Sequence, residues 1–365
     1  MTRKKKILVG IAAFFALAIA SIAVTLSYTS ACPAAAAAVN GASMQAIVHN
    51  CYGGSETLRL AQVSRPAVED DRVLVRVRAA SVNPYDWHMM TGKPYVLRLD
   101  AGIGAPTNTR AGVDFAGTVE AVGKNVTQYK VGDEVFGGAN GAFGEYVAAR
   151  EKSIALKPAQ ISFEQAAAIP IAGLTALQAL RDEGQLQAGQ KVLINGASGG
   201  VGTYAVQIAK AMGAEVTAVC STKNLELVRS LGADHVIDYT AEDLTKGEGR
   251  YHLVVDNVGN HSFSALRRVL EPRGIVVTVG GPKGPWIDPF LPLIKGAMIA
   301  PFVDERFTFF ISHMSHDDLE YLAGLARDGR MKSVIGAEYP LGELPAALDL
   351  VGSRHARGKI VIRVP

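Results

Sequence analysis

The chain of 365 residues carries 37 Lys and Arg against 34 Asp and Glu, a formal net charge of +3, too even a balance to indicate a nucleic-acid partner. That length suffices for two ordinary domains with sizeable cores. Cys32, Cys51 and Cys220 are widely separated, so neither a disulfide framework nor a CxxC metal pair is visible.

Residues 3–6 are basic, and "ILVGIAAFFALAIASIAVTLSY" (7–28) is uncharged and mostly apolar. A bilayer span needs about 20 apolar residues, whereas a signal-peptide core has about 7–15. The expectation is therefore a single-pass N-terminal transmembrane helix that holds the protein at a membrane. The basic cluster keeps the N-terminus cytoplasmic, and the side on which the rest of the chain lies is left open. A cleaved signal, or a lipoprotein modified at Cys32, is the alternative. "ACPAAAAAVNGAS" (31–43) reads as a linker and closes an N-terminal unit of residues 1–43.

Residues 44–163 are rich in short β signals. "AIVHN", "RVLVRVRAASV", "FAGTVEAVG" and "GDEVFGG" alternate or run apolar between glycines and charged turns, which predicts an all-β, partly closed unit. The pattern changes at "SFEQAAAIPIAGLTALQALRDEG", where Ser162 and Gln165 form a capping box and Pro170 breaks the helix. From 164 to 300 apolar strands alternate with helices: "KVLING", "EVTAVC", "HVIDY", "YHLVVDNVG" and "GIVVTVG". This predicts an α/β fold with a doubly wound parallel sheet. Residues 301–365, with a helix at 316–328 and strands in "KSVIGAEYP" and "GKIVIRVP", are expected to return to the first unit.

"INGASGGVG" (194–202) joins one such strand to a helix. Ala197, Gly199 and Gly202 match the dinucleotide fingerprint, with alanine in its first position. Gly199 lets backbone N–H groups approach a pyrophosphate, and Gly202 lets the helix pack closely on the strand. An NAD site wants an acid about 20 residues on, but "VCSTKN" supplies Ser221 and Lys223. A hydroxyl and an ammonium suit a 2′-phosphate, so NADPH is expected over NADH.

"GQKVLINGASGGVGTYAVQIAK" (189–210) resembles the signature of the quinone oxidoreductase/ζ-crystallin branch of the medium-chain dehydrogenase/reductase superfamily. "SVNPYDWHMMTG", "GVDFAGTVEAVG", "VGDEVFG", "AAAIPIAGLTALQAL", "SLGADHVIDY" and "GKIVI" follow the family order, and the match covers residues 44–365. The resemblance implies a GroES-like catalytic domain, made from both chain ends, around a Rossmann domain. It carries cofactor contacts onto Ser198, Gly200, Val201, Ser221, Lys223 and Tyr239, and more loosely onto Thr175, Val258 and Arg354. It implies Asn83 and Asp86 as residues shaping the active site, with Asp86 read as hydrogen-bonding before proton-transferring. His88 and Tyr95 stand where relatives present a polar or aromatic group to substrate. Part of 282–310 is placed at the pocket and part at a subunit interface, which suggests a homodimer.

Zinc-dependent members of the superfamily place Cys and His-Glu ligands where this chain has Pro84 or Tyr85 and Val113-Asp114. No metal site, and in particular no zinc, is expected. Hydride reduction of a simple ketone makes an alkoxide that wants a Lewis acid, whereas a quinone or enone gives a delocalised anion. The expected activity is hydride transfer from NADPH to a quinone or other conjugated carbonyl. An NAD(P)-dependent alcohol dehydrogenase or carbonyl reductase is the second reading, and an NADPH-binding scaffold with little turnover the third.

Overall fold

The computed structural model describes residues 3–33, 39, 41–281, 284–286, 291–354 and 356–365. Its strands, in chain order, are β1 (Ser43–His49), β2 (Leu58–Ser64), β3 (Arg72–Val82), β4 (Asp114–Val122), β5 (Glu134–Gly138), β6 (Tyr146–Arg150) and β7 (Ile154–Leu156). The parallel set follows as β8 (Lys191–Asn195), β9 (Glu215–Cys220), β10 (His235–Asp238), β11 (Tyr251–Asp256), β12 (Leu270–Thr278) and β13 (Arg306–Phe309). The chain ends with β14 (Ile335–Pro340) and β15 (Lys359–Arg363).

Among the described residues these strands form three sheets. The six-stranded one has the order β10-β9-β8-β11-β12-β13, and every pairing in it is parallel. In sequence order that is 3-2-1-4-5-6, the doubly wound arrangement with its crevice where the order reverses. The apolar strands split cleanly by period two. Val192, Ile194, Val216, Ala218, Leu253 and Val255 face one core, while Leu193, Val219 and Val254 face the other. Burial on both faces is why these segments read as continuous apolar runs.

The seven-stranded sheet runs β14-β15-β3-β4-β5-β7, with β6 also paired to β3. β15 lies antiparallel to β3, with Val82 opposite Ile360, so the C-terminal strand does return to the β-rich unit. β1 and β2 form a separate antiparallel pair. The Ser162–Gln165 capping box forms, with Ser162 Oγ accepting from the Gln165 N–H at 3.2 Å and the reciprocal bond at 3.0 Å. The helix beyond it stops at Ala167 and restarts as Pro170–Gln178, as the proline requires. One core continues across both units, from Ala79, Ala116 and Phe136 through Leu174 and Leu177 to Tyr204 and Val361.

Three expectations are corrected. β13, in the segment expected to return to the catalytic unit, pairs instead with β12, because "RFTF" extends the parallel sheet before the chain turns back. Residues 7–27 lie within a helix, Arg3–Ser27, but among the described residues no helix is long and apolar enough to cross a membrane. The expected single-pass anchor is thereby overturned. Just after that helix, ahead of the expected linker of residues 31–43, the chain is bonded to the β-rich unit. Thr29 bridges Gly104, and the Arg98 guanidinium donates to the carbonyls of Leu26 (3.1 Å) and Tyr28 (2.6 Å). Finally, Cys32 is not a free thiol for lipidation. It is disulfide-bonded to Cys51, 19 residues away, a pairing that two widely spaced cysteines do not announce. Residues 34–38 and 40 of the expected linker, and 282, 283 and 287–290 of the aromatic stretch, lie outside the described residues.

Candidate functional site

The glycine loop leaves β8 at Gly196, whose φ of +74° favours glycine, and enters the helix Gly200–Ala211. A Cβ on Gly202 would lie 2.1 Å from the Gly196 carbonyl oxygen, so only glycine lets this helix approach the strand. Gly199 caps the helix in extended conformation, and a Cβ there would meet nothing nearer than 3.4 Å, which leaves the outer face of the loop open to a ligand. Ala197 is fully buried and donates to the Val219 carbonyl at 3.0 Å. Val201 packs on the core below. This cradle fits a pyrophosphate held by backbone N–H groups at a helix N-terminus.

Ser221 follows β9, and Tyr239 follows β10, so both stand at the same sheet edge as the loop. Asn224, which sequence reasoning missed, ties Ser221 to the loop: its side-chain amide donates to Ser198 Oγ (3.1 Å) and Ser221 Oγ (3.2 Å). Lys223 is exposed beside it and Tyr239 is 61 % exposed. Asp238, also missed, brings a carboxylate to this corner, but the hydroxyls of Thr222 and Thr240 donate to it. Farther along the crevice, Val258 lies against Gly196, and the Thr175 hydroxyl meets Ser312 Oγ at 2.8 Å. Arg354 reaches across to the Gly281 carbonyl at 2.8 Å.

The loop is joined to the β-rich unit through the chain just before β15. The Gly358 N–H donates to the Ser198 carbonyl at 2.9 Å, and the next residue, Lys359, is 3 % exposed. Its ammonium donates to Asn83 Oδ1 (2.5 Å) and the Val82 carbonyl (3.2 Å), and lies 3.7 Å from Asp114 Oδ2. Asp114 also accepts from Asn83 Nδ2 (2.8 Å), Ser81 Oγ (3.3 Å) and the Ile171 N–H (3.2 Å). Burial pushes the Asp114 carboxyl up and the Lys359 ammonium down from their ordinary values, each charge opposing the other's shift. Sequence reasoning did not single out Asp114 or Lys359 as a pair, because 245 positions of chain separate them in numbering and only the sheet makes them neighbours.

Asp86 opens off this hub. Its Oδ2 accepts the Asn83 N–H at 2.8 Å. Burial raises its carboxyl to about 7, with the neighbouring Asp114 adding to the rise and Asn83 and Lys359 opposing it. Asp86 and Tyr85 line a cavity of about 170 Å³ together with His49, Arg110, Val113 and Asn140. Thus the glycine loop is linked to the cavity wall by the Gly358 N–H, the chain on to Lys359, and the hydrogen bonds from Lys359 to Asn83 and from Asn83 to Asp86.

The four expected catalytic residues are not brought together. Asn83 and Asp86 share the hub. His88 instead turns its Nδ1 to the Lys93 carbonyl at 2.6 Å, because the helix Pro84–Thr91 places it on another face from Asp86. Burial lowers its ring pKa, and nearby Arg354 lowers it further. Tyr95 packs edge-on against Trp286, ring centres 4.7 Å apart, and under the Arg98 guanidinium. Neither His88 nor Tyr95 lines the cavity. Among the described residues no group of three or more His, Cys, Asp or Glu is arranged to hold a metal ion.

Two family models match the chain: an alcohol dehydrogenase GroES-like domain over residues 69–159, and a zinc-binding dehydrogenase over residues 231–362. The chloroplast envelope quinone oxidoreductase homolog of Arabidopsis thaliana is 34 % identical over 88 % of this chain and 99 % of its own. The NADPH-dependent alkenal/one oxidoreductase of the same plant is 33 % identical over 87 % of this chain and 79 % of its own. The crystal structure of Escherichia coli quinone oxidoreductase complexed with NADPH superposes with a TM-score of 0.75, 26 % identity, and coverage of 87 % and 99 %. With the doubly wound sheet, the GroES-like unit and these relatives in agreement, the chain belongs to the zinc-independent quinone oxidoreductase branch of the medium-chain dehydrogenase/reductase superfamily.

Proposed function

We propose that this chain is an NADPH-dependent oxidoreductase that reduces a quinone or other conjugated carbonyl acceptor. The observation that carries the reading is the link from the open glycine loop, through Lys359 and Asn83, to a cavity lined by Asp86. When bound, NADPH supplies a hydride from its nicotinamide.

In this reading Ser198, Gly199, Gly200, Val201 and Gly202 hold the pyrophosphate, over Ala197, which is buried beneath the loop with its N–H bonded to Val219. Ser221, Lys223 and Tyr239 recognise the 2′-phosphate end, which favours NADPH over NADH, and Thr175, Val258 and Arg354 line the crevice toward the nicotinamide. Asn83, fixed by Lys359 and Asp114, positions Asp86. Asp86, whose carboxyl burial raises to about 7, is the group assigned to donate a proton to the reduced acceptor. His88 and Tyr95 sit outside the cavity and are assigned to its surroundings rather than to the chemistry. The β-rich unit, residues 44–163 with the C-terminal return, encloses a nucleotide unit that we extend from 164–300 through Phe309.

The test is NADPH consumption over a panel of quinones, enals, simple ketones and primary alcohols, with metal content measured on the same sample. Turnover of quinones or enones without stoichiometric zinc is expected. Turnover confined to alcohols and simple ketones, or dependent on a bound zinc, would replace this reading with the alcohol dehydrogenase one.

A further inference from the structure

Arg98 is a buried cation that neutral groups hold. Its guanidinium donates to the carbonyls of Gly92 (2.9 Å), Leu26 (3.1 Å) and Tyr28 (2.6 Å) and to Thr29 Oγ1 (3.2 Å). It also lies over the rings of Tyr52 and Tyr95, at 4.3 and 4.7 Å. Leu26 and Tyr28 stand at the end of the helix Arg3–Ser27, where the last carbonyls lack helical partners and carry the negative end of the helix dipole. A buried charge stripped of such partners must return to water, so Arg98 keeps its place only while residues 26–32 keep theirs. That segment is tied down beyond Arg98. Ser30 donates from its N–H (2.9 Å) and Oγ (3.1 Å) to the Gly104 carbonyl, and Cys32 is disulfide-bonded to Cys51. Cys51 is buried beside Tyr52, whereas Cys32 is exposed. On its other side the Arg98 stack reaches the nucleotide unit: the Tyr95 N–H donates to the Pro285 carbonyl at 2.7 Å, and the Tyr95 ring packs on Trp286. Pro285 and Trp286 follow the carboxyl end of β12, the end of the sheet on which the crevice opens.

We propose that the Cys32–Cys51 disulfide is a redox switch on the clasp between the two units. Oxidised, it straps residues 26–32 onto Arg98 and so holds Tyr95 against Pro285 and Trp286; reduced by a dithiol, it releases the strap, and the clasp loosens. The consequence for nucleotide affinity rests on the NADPH reading above. Reduction starts at the exposed sulfur: a thiolate of the dithiol attacks Cys32, the S–S bond breaks, and Cys51 leaves with the electron pair and takes up a proton. The second thiol of the reagent then displaces Cys32 from the mixed disulfide. Two electrons and two protons have passed from the dithiol, now a cyclic disulfide, to the two cysteines, now thiols. Hydrogen bonds alone then hold the strap, which is free to leave because its cross-link to the β-rich unit is gone.

Hydrogen exchange of the full chain is followed by mass spectrometry with and without dithiothreitol, and NADPH affinity is measured by fluorescence titration in both states. Alkylation of the unfolded protein checks the redox state, since the free thiols rise from Cys220 alone to all three cysteines. On reduction, amides of residues 28–30 and 95–104 should exchange at least about tenfold faster, within what a cross-link of this length contributes, while β8 and β11 stay unchanged. NADPH affinity should fall about 3- to 10-fold, the range for one net hydrogen bond lost between the units. Cys32→Ser should show the reduced values with or without dithiothreitol. Tyr95→Ala, which cuts the clasp and spares the disulfide, should weaken NADPH binding by a similar factor and no longer respond to reductant. Faster exchange confined to residues 28–30, or no change in either segment, would overturn the proposal. So would unchanged NADPH affinity on reduction, or a full response to reductant in Tyr95→Ala. If NADPH binds in neither state, the nucleotide reading falls, while the exchange comparison still decides the switch.

Discussion

A buried lysine is tolerable only when its charge is matched, and Lys359 meets that condition through Asn83 at 2.5 Å and Asp114 at 3.7 Å. Lys359→Met should therefore leave the Asp114 carboxylate uncompensated and destabilise the fold by about 3–5 kcal/mol, as read from urea unfolding at neutral pH. Asp86 gives a pH signature. Its folded value, raised to about 7, lies above the ordinary value of about 3.9, so the native state holds this proton more tightly than the unfolded chain. The resulting stabilisation is fully present below about pH 4 and is lost as pH rises through 7. Asp86→Asn keeps an oxygen for the Asn83 N–H but does not titrate, so its Tm should fall less than the parent's between pH 5 and 8. An identical Tm profile in parent and variant would show that Asp86 titrates in its ordinary range. At the nucleotide end, Lys223→Glu adds repulsion toward a 2′-phosphate as well as removing attraction. NADPH affinity should drop at least about tenfold, or about 1.4 kcal/mol, with NADH binding nearly unchanged in fluorescence titrations.

At the scale of elements, the strand–loop–helix unit depends on one backbone contact. Gly202→Ala would place a Cβ 2.1 Å from the Gly196 oxygen, and backbone on both sides leaves little to yield. The helix should be displaced from β8, so the variant should lose both stability and NADPH binding, seen together in thermal melts with and without cofactor. The segment after the first helix behaves as part of the β-rich unit. Arg98, 2 % exposed, donates to Gly92 as well as to Leu26 and Tyr28, and its guanidinium lies 4.3 Å from the Tyr52 ring centre. The Cys32–Cys51 bond closes this arrangement across 19 residues, a loop for which cross-linking is worth about 3 kcal/mol. Cys32→Ser, or reduction of the parent, should lower Tm accordingly. Reductant should then leave the Tm of Cys32→Ser unmoved.

For the whole molecule, much was legible from local pattern. Alternation of apolar strands and helices dictated the doubly wound sheet, glycine spacing after β8 marked the nucleotide loop, and Ser162 with Gln165 marked a helix start. These signals survive because backbone sterics, turn chemistry and one-sided burial act over a few residues. The long apolar stretch of residues 7–28 was misread for the same reason: its local hydropathy says nothing of the contacts that bond the chain following it to Arg98 and Gly104. Only the tertiary structure could pair Cys32 with Cys51, set Lys359 against Asn83 across 276 positions, turn His88 away from Asp86, and bury His49 in a shared cavity. Each of these depends on which strands become neighbours and which way a helix faces. The sequence alone determined the fold class and the nucleotide loop, because both are written in short-range periodicity. The buried polar hub and the acceptor cavity were decided by packing, because desolvation and long-range pairing arise only once distant segments meet.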